Sequence, residues 1–562
     1  MPEPLPTSEP PSREKWLRIS FYLLIFAVGM LVCFHPMLFG GFARMQSDAG
    51  DTVLNHYFVE HTWLWVSDTT YPASFWSPQF FYPTRYALTY SENLIGAAPL
   101  YWGLRLFWSE PTAWIGWILI VNACNYWAML IVLRWFGINP ILAVLGGFLF
   151  AFGLPRQDQF SHQHLMPHLF APFVVWHFWK FVEAPRRWHW FWVLFLSAWQ
   201  MLASIHLGWF LVFALCIVLA VHFLYNRSAM SRIWSFIKER RAFVAWTMAA
   251  WSIGLGLFFR NYFIGNESTR RYYGECVTYM PSLFSWLACP PESLWKLHLV
   301  PGEDNEYAER HLFTGFGFYL LLIAAIIAVR KRRTAVELPA QAGMVRSCLA
   351  TCLILVLLTL NLIQGASLWF AVFNVVPGAN SIRAIGRVWF SFVLLSLIAG
   401  SIAFQFLVQS RIRSPWLQLT IYGVLLAVCV GEQVHPTIQS FATADYYPRA
   451  ANLSKYMTDA DAAYACYDWE TDIPFYEQYT TTMWAGFWAR MPVVNGFSGR
   501  IPNNFVVARE EWPVEEVVRF LGPEWRGRLL MIQPGEPTRR RWYQVEPGDD
   551  PASRFTLVRA DP

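Results

Sequence analysis

The chain has 562 residues, 55% hydrophobic and 18% aromatic, with only 14% charged, against about 25% charged in an ordinary soluble protein. That balance excludes a soluble cytosolic enzyme. A net charge of +5, with arginines gathered in bursts between apolar stretches, does not form a nucleic-acid footprint. The nine cysteines include no C-x-x-C pair, so neither a zinc framework nor a disulfide scaffold is indicated. Cys276 and Cys289 are the one pair placed to meet in an exported loop, either bonded or as two free thiols. No repeat of fixed period is visible.

Taken in chain order, the first apolar stretch runs from about Trp16 to Gly40, with Arg13, Lys15 and Arg18 close to its start. Without an A-x-A cleavage site it reads as an uncleaved signal anchor with a cytoplasmic N-terminus. Leu94–Trp108 is short and carries Arg105, so it is expected to lie in the interface rather than cross. Further spans are expected near 113–134, 139–154, 168–182, 190–205, 207–225, 242–263, 312–329, 347–364, 388–409 and 416–431, eleven in all. With this count Arg134, Arg186–Arg187, Arg227–Arg241, Arg330–Arg333 and Arg411–Arg413 all fall on the cytoplasmic side, as the positive-inside rule asks. Counting Leu94–Trp108 as a span would export the two strongest bursts.

The predicted organisation is a polytopic α-helical membrane region over 1–432 and an exported C-terminal α/β domain over 433–562. The first exported loop covers 41–112 and holds interfacial helices. In the tail, Leu529–Gln533 and Phe555–Arg559 read as strands and Val514–Leu521 as a helix with Pro513 at its start.

The polar chemistry gathers in the exported segments. Asp48 and Asp51 lie beside the membrane, just before the aromatic amphipathic run Val53–Trp65. Ionised groups there point to a functional site, or else they cap the helix that starts near Thr52. The second loop, Pro155–His164, carries Asp158, His162 and His164. In an extended segment the two histidines share a face, suited to a divalent metal or a phosphate, or the segment is a solvated polar turn. Arg270 and Arg271, and Arg383 and Arg387, stand at the membrane edge on the side that short loops usually keep free of arginine; the second pair has the spacing of one helical turn. They either anchor a phosphate or snorkel to headgroups. Asn495, Ser498 and Arg500 belong to a glycine-punctuated loop, N-G-F-S-G-R-I-P, of the kind that closes over a sugar or simply makes a turn.

The order of these features resembles the GT-C membrane glycosyltransferases, the class of the oligosaccharyltransferases, protein mannosyltransferases and aminoarabinose transferases. The stretch Val376–Arg387 looks like the P-x-x-x-x-x-R-x-x-x-R element of bacterial members, and Asn495–Pro502 is similar to their N-G-[YF]-S-G-x-x-P loop. The resemblance implies transfer of a hexosyl or pentosyl unit from a polyprenyl-phosphate carrier, with Asp51 or Asp48 acting on the acceptor. Arg270, Arg271, Arg383 and Arg387 would hold the donor phosphate. Asp158 and His162 fall where oligosaccharyltransferases hold a metal, although the motif here is rich in histidine and short of carboxylates, which puts a divalent metal in doubt. A bacterial inner membrane is the implied home. Two other readings remain: a carrier or flippase, which would place ionisable groups within the spans, and a non-catalytic scaffold whose tail binds a partner.

Overall fold

The structure, a computed structural model, describes residues 13–264, 271–290, 293–295, 308–330, 341–363, 365–435, 437–466, 468, 471–506, 511–535 and 537–561. Its helical part runs α1 (Arg13–Phe39), β1 (Arg44–Gln46), α2 (Asp51–Ser67), α3 (Ala98–Arg105), α4 (Glu110–Trp135), α5 (Pro140–Phe152), α6 (Leu154–Asp158), α7 (Ala171–Glu183), α8 (Arg187–Ala203), α9 (Ile205–Tyr225), α10 (Arg227–Glu239) and α11 (Arg241–Ile264). It continues with α12 (Tyr273–Thr278), α13 (Phe316–Arg330), α14 (Ala342–Thr359), α15 (Trp369–Val375), α16 (Trp389–Arg411) and α17 (Pro415–Glu432). The tail adds β2 (Ser440–Ala442), α18 (Thr443–Ser454), β3 (Ala462–Ala465), α19 (Phe475–Ala489), α20 (Val514–Leu521), β4 (Gly527–Gln533), β5 (Arg539–Val545) and β6 (Phe555–Asp561).

A helix stands at each of the eleven expected spans. Among the described residues, eight helical segments are long and apolar enough to cross a membrane; α7, α8 and α13 have only 13, 17 and 15 residues. The eight-residue α3 rises about 12 Å, far short of a hydrocarbon core of about 30 Å, so Leu94–Trp108 does not cross. Local chemistry sets several boundaries. Asn139 accepts the Ile141 N–H with Pro140 in the first turn of α5, and Ser414 does the same for Leu417 with Pro415 in α17. The basic segment 227–239, expected as a loop, forms α10, whose Ala229, Ile233 and Phe236 are buried while its cations stay outside. At the centre stands α16, buried along its length from Trp389 to Ala403 and packed against α5, α9, α13 and α14.

The tail is not a separate appendage. Its first strand, β2, pairs antiparallel with β1 of the first loop, Arg44 opposite Ala442 and Gln46 opposite Ser440. Helix α19 lies on α2, with Trp484 Nε1 donating to Val53 O at 3.3 Å. Every residue of α2 from Thr52 to Thr62 is therefore buried. Beneath it, Arg105 donates to both oxygens of Glu60 at 2.8 and 2.9 Å. Tyr101 donates to the same carboxylate at 2.5 Å, and His56 bridges Tyr101 and Tyr447, locking α2, α3 and α18 together.

The four-stranded sheet runs β3-β4-β5-β6, with β3 parallel to β4 and the other pairs antiparallel. The expected strands are present as β4 and β6, and the expected helix as α20. Its Val514, Val517, Val518 and Leu521 pack on Leu529, Met531, Tyr543 and Val545. Cys276 and Cys289 are both free and buried: the first donates to Ile382 O at 3.3 Å, and the second accepts from Ser293 at 3.1 Å.

Candidate active site

Asp51 is the first residue of α2, so its carboxylate sits at the positive end of that helix. The helix is preceded by Gly50, where no side chain caps, and Asp48 instead accepts the Gly50 N–H at 2.7 Å to close the turn. The capping explanation therefore fits Asp48 in part, and no side-chain hydrogen bond from Asp51 caps α2. Asp51 Oδ2 lies 3.4 Å from His162 Nε2. Burial pushes the Asp51 carboxyl above the usual range, His162 opposes this, Asp48 adds to it, and Arg387 and Arg383 oppose it. The start of α2 is fixed from the second loop: Gln163 Nε2 donates to Thr52 Oγ1 at 2.7 Å, and Thr52 in turn donates to Gln46 O at 3.1 Å.

The second loop divides its polar groups rather than pooling them. Arg156 is consumed structurally, donating to Phe150, Leu165 and Met166 carbonyls between the rings of Phe150 and Phe390. Asp158 Oδ2 pairs with His311 Nδ1 at 2.5 Å, an arrangement that orients the imidazole and leaves its buried Nε2 without a partner. His162 turns to Asp51, whereas His164 lies against Arg387 Nη1 at 3.4 Å. The two rings stand edge to face, 5.6 Å apart. The extended, shared-face arrangement expected for them is not found, because Gln163–Leu165 forms a 3-10 turn.

Arg383 and Arg387 do not share a helical face either. Arg383 lies in non-helical chain, its guanidinium 5.2 Å over the ring of Tyr279, and Arg387 sits in the short 3-10 turn Ile385–Val388. Arg387 is buried, with Nη2 3.4 Å from Glu309 Oε1 and Nε without a partner. A Cβ on the neighbouring Gly386 would meet Glu309 O at 1.8 Å, so this close approach of two chain segments requires glycine. Burial works to raise Glu309, but His162, Arg387, a backbone hydrogen bond and Arg383 together outweigh it and hold the group below the ordinary glutamate value.

Arg271 is a brace. It donates to Glu275 at 2.7 Å, to Ser381 O at 3.3 Å and to Gly499 O at 3.3 Å, tying the N-G-F-S-G-R loop to the segment bearing Arg383. Burial pushes Arg500 down to about 10, helped by Arg271 and Arg383 and opposed by Glu275. Guanidiniums crowded in this way favour an anion among them. In the same loop Asn495 is buried and spends its amide on Ala465, accepting from its N–H and donating to its carbonyl, both at 2.8 Å. It fixes the loop to β3, while Ser498 Oγ is buried without a partner. Arg270 lies outside the described residues.

Four residues that the sequence does not single out as site residues belong here: Glu309, His311, Glu92 and His206. Glu92 accepts the backbone N–H groups of Ile205 and His206 at 2.9 and 3.1 Å, and its carboxylate also contacts the His206 ring. The pattern Glu309-x-His311 just ahead of an apolar span was the available signal for the first two; a lone glutamate in a long loop gave none for the third.

The sequence matches no family model and no curated protein. Among solved structures, the chain is similar to the Archaeoglobus fulgidus oligosaccharyltransferase in its apo form, at TM-score 0.50 and 11% identity over 93% of this chain and 70% of that one. The fold is like that of this oligosaccharyltransferase. The archaeal oligosaccharyltransferase AglB from the same organism, solved with an inhibitory peptide and a dolichol-phosphate, aligns at TM-score 0.49 and 11% identity with the same coverage. At that identity the likeness is one of fold alone, and what the chain does has to be argued from its site.

Asp158 and His162, the metal-holding residues implied by the resemblance, turn to different partners. Asp158 is held by His311 and His162 by Asp51. Among the described residues, the group of three metal-ligating side chains brought together is Glu92, His164 and His206.

Proposed function

We propose that the chain is a glycosyltransferase that moves a sugar from a polyprenyl-phosphate donor to an acceptor on the exported side of the membrane. The observation that carries this reading is the convergence of Asp51, a carboxylate that does not cap its helix, and an arginine group from three separate segments. In the reaction the acceptor hydroxyl gives its proton to Asp51 Oδ2 as its oxygen bonds the anomeric carbon. The bond from that carbon to the phosphate oxygen breaks on the opposite face, and the electron pair leaves with the phosphate, inverting the sugar. General-base help of this kind is worth about 10²–10⁴-fold. Arg387, with a buried unpartnered Nε, and Arg383 face the developing phosphate charge, and Arg271 fixes the loop that brings Arg500 beside them. His162 holds the Asp51 carboxylate in place.

This reading carries eleven spans, a cytoplasmic N-terminus and an exported tail in a bacterial inner membrane. The test is polyprenyl-phosphate release by the purified protein in nanodiscs, offered a panel of polyprenyl-phosphate sugars with membrane extract as acceptor. Asp51→Asn is expected to bind donor and to release carrier about 10²–10⁴-fold more slowly. A wild-type protein that binds donor and never releases the carrier would sink the reading, as would cysteine labelling that put positions 51 and 383 on opposite faces.

A further inference from the structure

Glu92, His164 and His206 come from three separate parts of the chain: the first exported loop, the 3-10 turn of the second loop, and the first turn of α9. Each offers one ligating atom, and these atoms lie within 4.8 Å of one another. The group is built rather than incidental. Both Glu92 oxygens are oriented by the Ile205 and His206 N–H groups, and the adjoining Asn93 is held by Tyr262 at 2.8 Å. Gly96 presses its backbone onto the junction of α8 and α9, donating to Leu202 O at 2.9 Å; a Cβ there would meet Ala203 N at 2.4 Å. The ring centroids of His164 and His206 lie 5.9 Å apart, and the His206 ring contacts the Glu92 carboxylate.

We infer that these three side chains hold one divalent cation of the zinc class, in place of the Asp158 and His162 set implied by the resemblance. Two imidazoles and one carboxylate form a donor set that zinc takes with a fourth position left for water or a substrate oxygen. The other polar groups of the second loop are already committed, which leaves His164 with no carboxylate of its own. The neighbouring Arg387 would repel a cation, but its charge is offset by Glu309 at 3.4 Å. Its Nη1 lies 3.4 Å from His164 Nε2 and its buried Nε is without a partner, so an anion bridging the metal and the guanidinium would satisfy it. Such an anion is an oxyanion of the phosphate class, whether a lipid phosphate or a free one.

The test uses the full chain in nanodiscs, stripped with a chelator and titrated with Co²⁺. It reads metal content and the visible cobalt bands, so it does not depend on turnover or on the identity of the sugar. Wild type and Asp158→Asn are expected to take one Co²⁺ per chain, and His164→Gln or His206→Gln to lose at least about 100-fold in affinity, more than is typical for losing an outer-shell partner. Because Glu92 also holds the start of α9, the deciding variant is His206→Cys, which keeps a ligand and should add a sulfur-to-cobalt charge-transfer band. Titration with farnesyl phosphate and with inorganic phosphate should shift the cobalt bands, with the stronger response naming the anion's source. The inference is overturned if wild type binds no Co²⁺, if His206→Gln and His164→Gln both bind it as wild type does, if Asp158→Asn loses it while His206→Gln keeps it, if His206→Cys gives no sulfur band, or if neither phosphate moves the spectrum.

Discussion

The change Gly386→Ala adds one carbon where two chain segments cross. Its Cβ would stand 1.8 Å from Glu309 O, and real Cβ contacts essentially never fall under 3.0 Å, so the Glu309 backbone has to recede by about 1.2 Å. The obstructing atom is backbone, which cannot swing aside as a side-chain tip does. The Glu309–Arg387 contact is already long at 3.4 Å, so a retreat of that size separates two buried, oppositely charged groups. Breaking a buried pair costs about 3–5 kcal/mol, and a charge-assisted hydrogen bond is worth about 1.5–3 kcal/mol. We therefore expect a stability loss of about 3–5 kcal/mol and donor affinity lower by about 10- to 150-fold. Thermal unfolding in nanodiscs and titration with a polyprenyl-phosphate sugar read the two effects separately. Gly423→Ala is the control, since its Cβ meets nothing within 4 Å on an α17 face; it should be neutral or slightly stabilising. If Gly386→Ala melts and binds donor as wild type does, the close crossing and the argument built on it are wrong.

Glu60→Gln removes the charge that accepts from both Arg105 and Tyr101 in a buried position, and should cost about 3–5 kcal/mol in thermal unfolding; a change below 1 kcal/mol, about what a surface pair is worth, would show that water reaches the pair. Asn495→Ala strands the Ala465 N–H and C=O, at about 1–3 kcal/mol each, and should expose the β3 edge to protease before the helical part unfolds; unchanged proteolysis would count against a clamp role. Arg271→Ala cuts the tie to Gly499 and should raise the Kd for donor about 10-fold or more, the worth of a charge-assisted hydrogen bond, while Asp51→Asn leaves it unchanged; equal effects on both would remove the division between phosphate and acceptor groups. Reductant should leave the melting temperature untouched, because Cys276 and Cys289 are separate thiols with their own hydrogen bonds; a reductant-dependent shift would reveal a bond between them.

Some of what the sequence left unread has a specific cause. The run Arg539–Val545 opens with three arginines and is not among the expected strands, yet it is a central strand of the tail sheet. Arg540 lies 4.8 Å over Trp542 and Arg541 4.3 Å over Trp512, so the apolar work is done by aromatic faces covered with guanidinium. The basic segment 227–239 is helical because only three of its positions need to be apolar to seat it. The burial of α2 on all sides from Thr52 to Thr62 is not written in its own pattern, because it depends on α19 arriving from the tail.

Apolar length and charge placement act locally along the chain, and so they suffice to set where the helices lie, which stretch is too short to cross, and which ends carry the acids and arginines. The three tail elements expected from pattern and capping were legible for the same reason. Choice of partner is different in kind. His162 and His164 are two residues apart, yet one meets Asp51 and the other Arg387, while Asp158 reaches His311 and Glu92 reaches His206. Those pairings join residues separated by up to 223 positions. They depend on how helices cross and on where glycines such as Gly386 let backbones touch, which no local pattern records. The ingredients of the site are therefore written in the sequence, and their assignment to base, phosphate or metal ligand is decided only by tertiary packing.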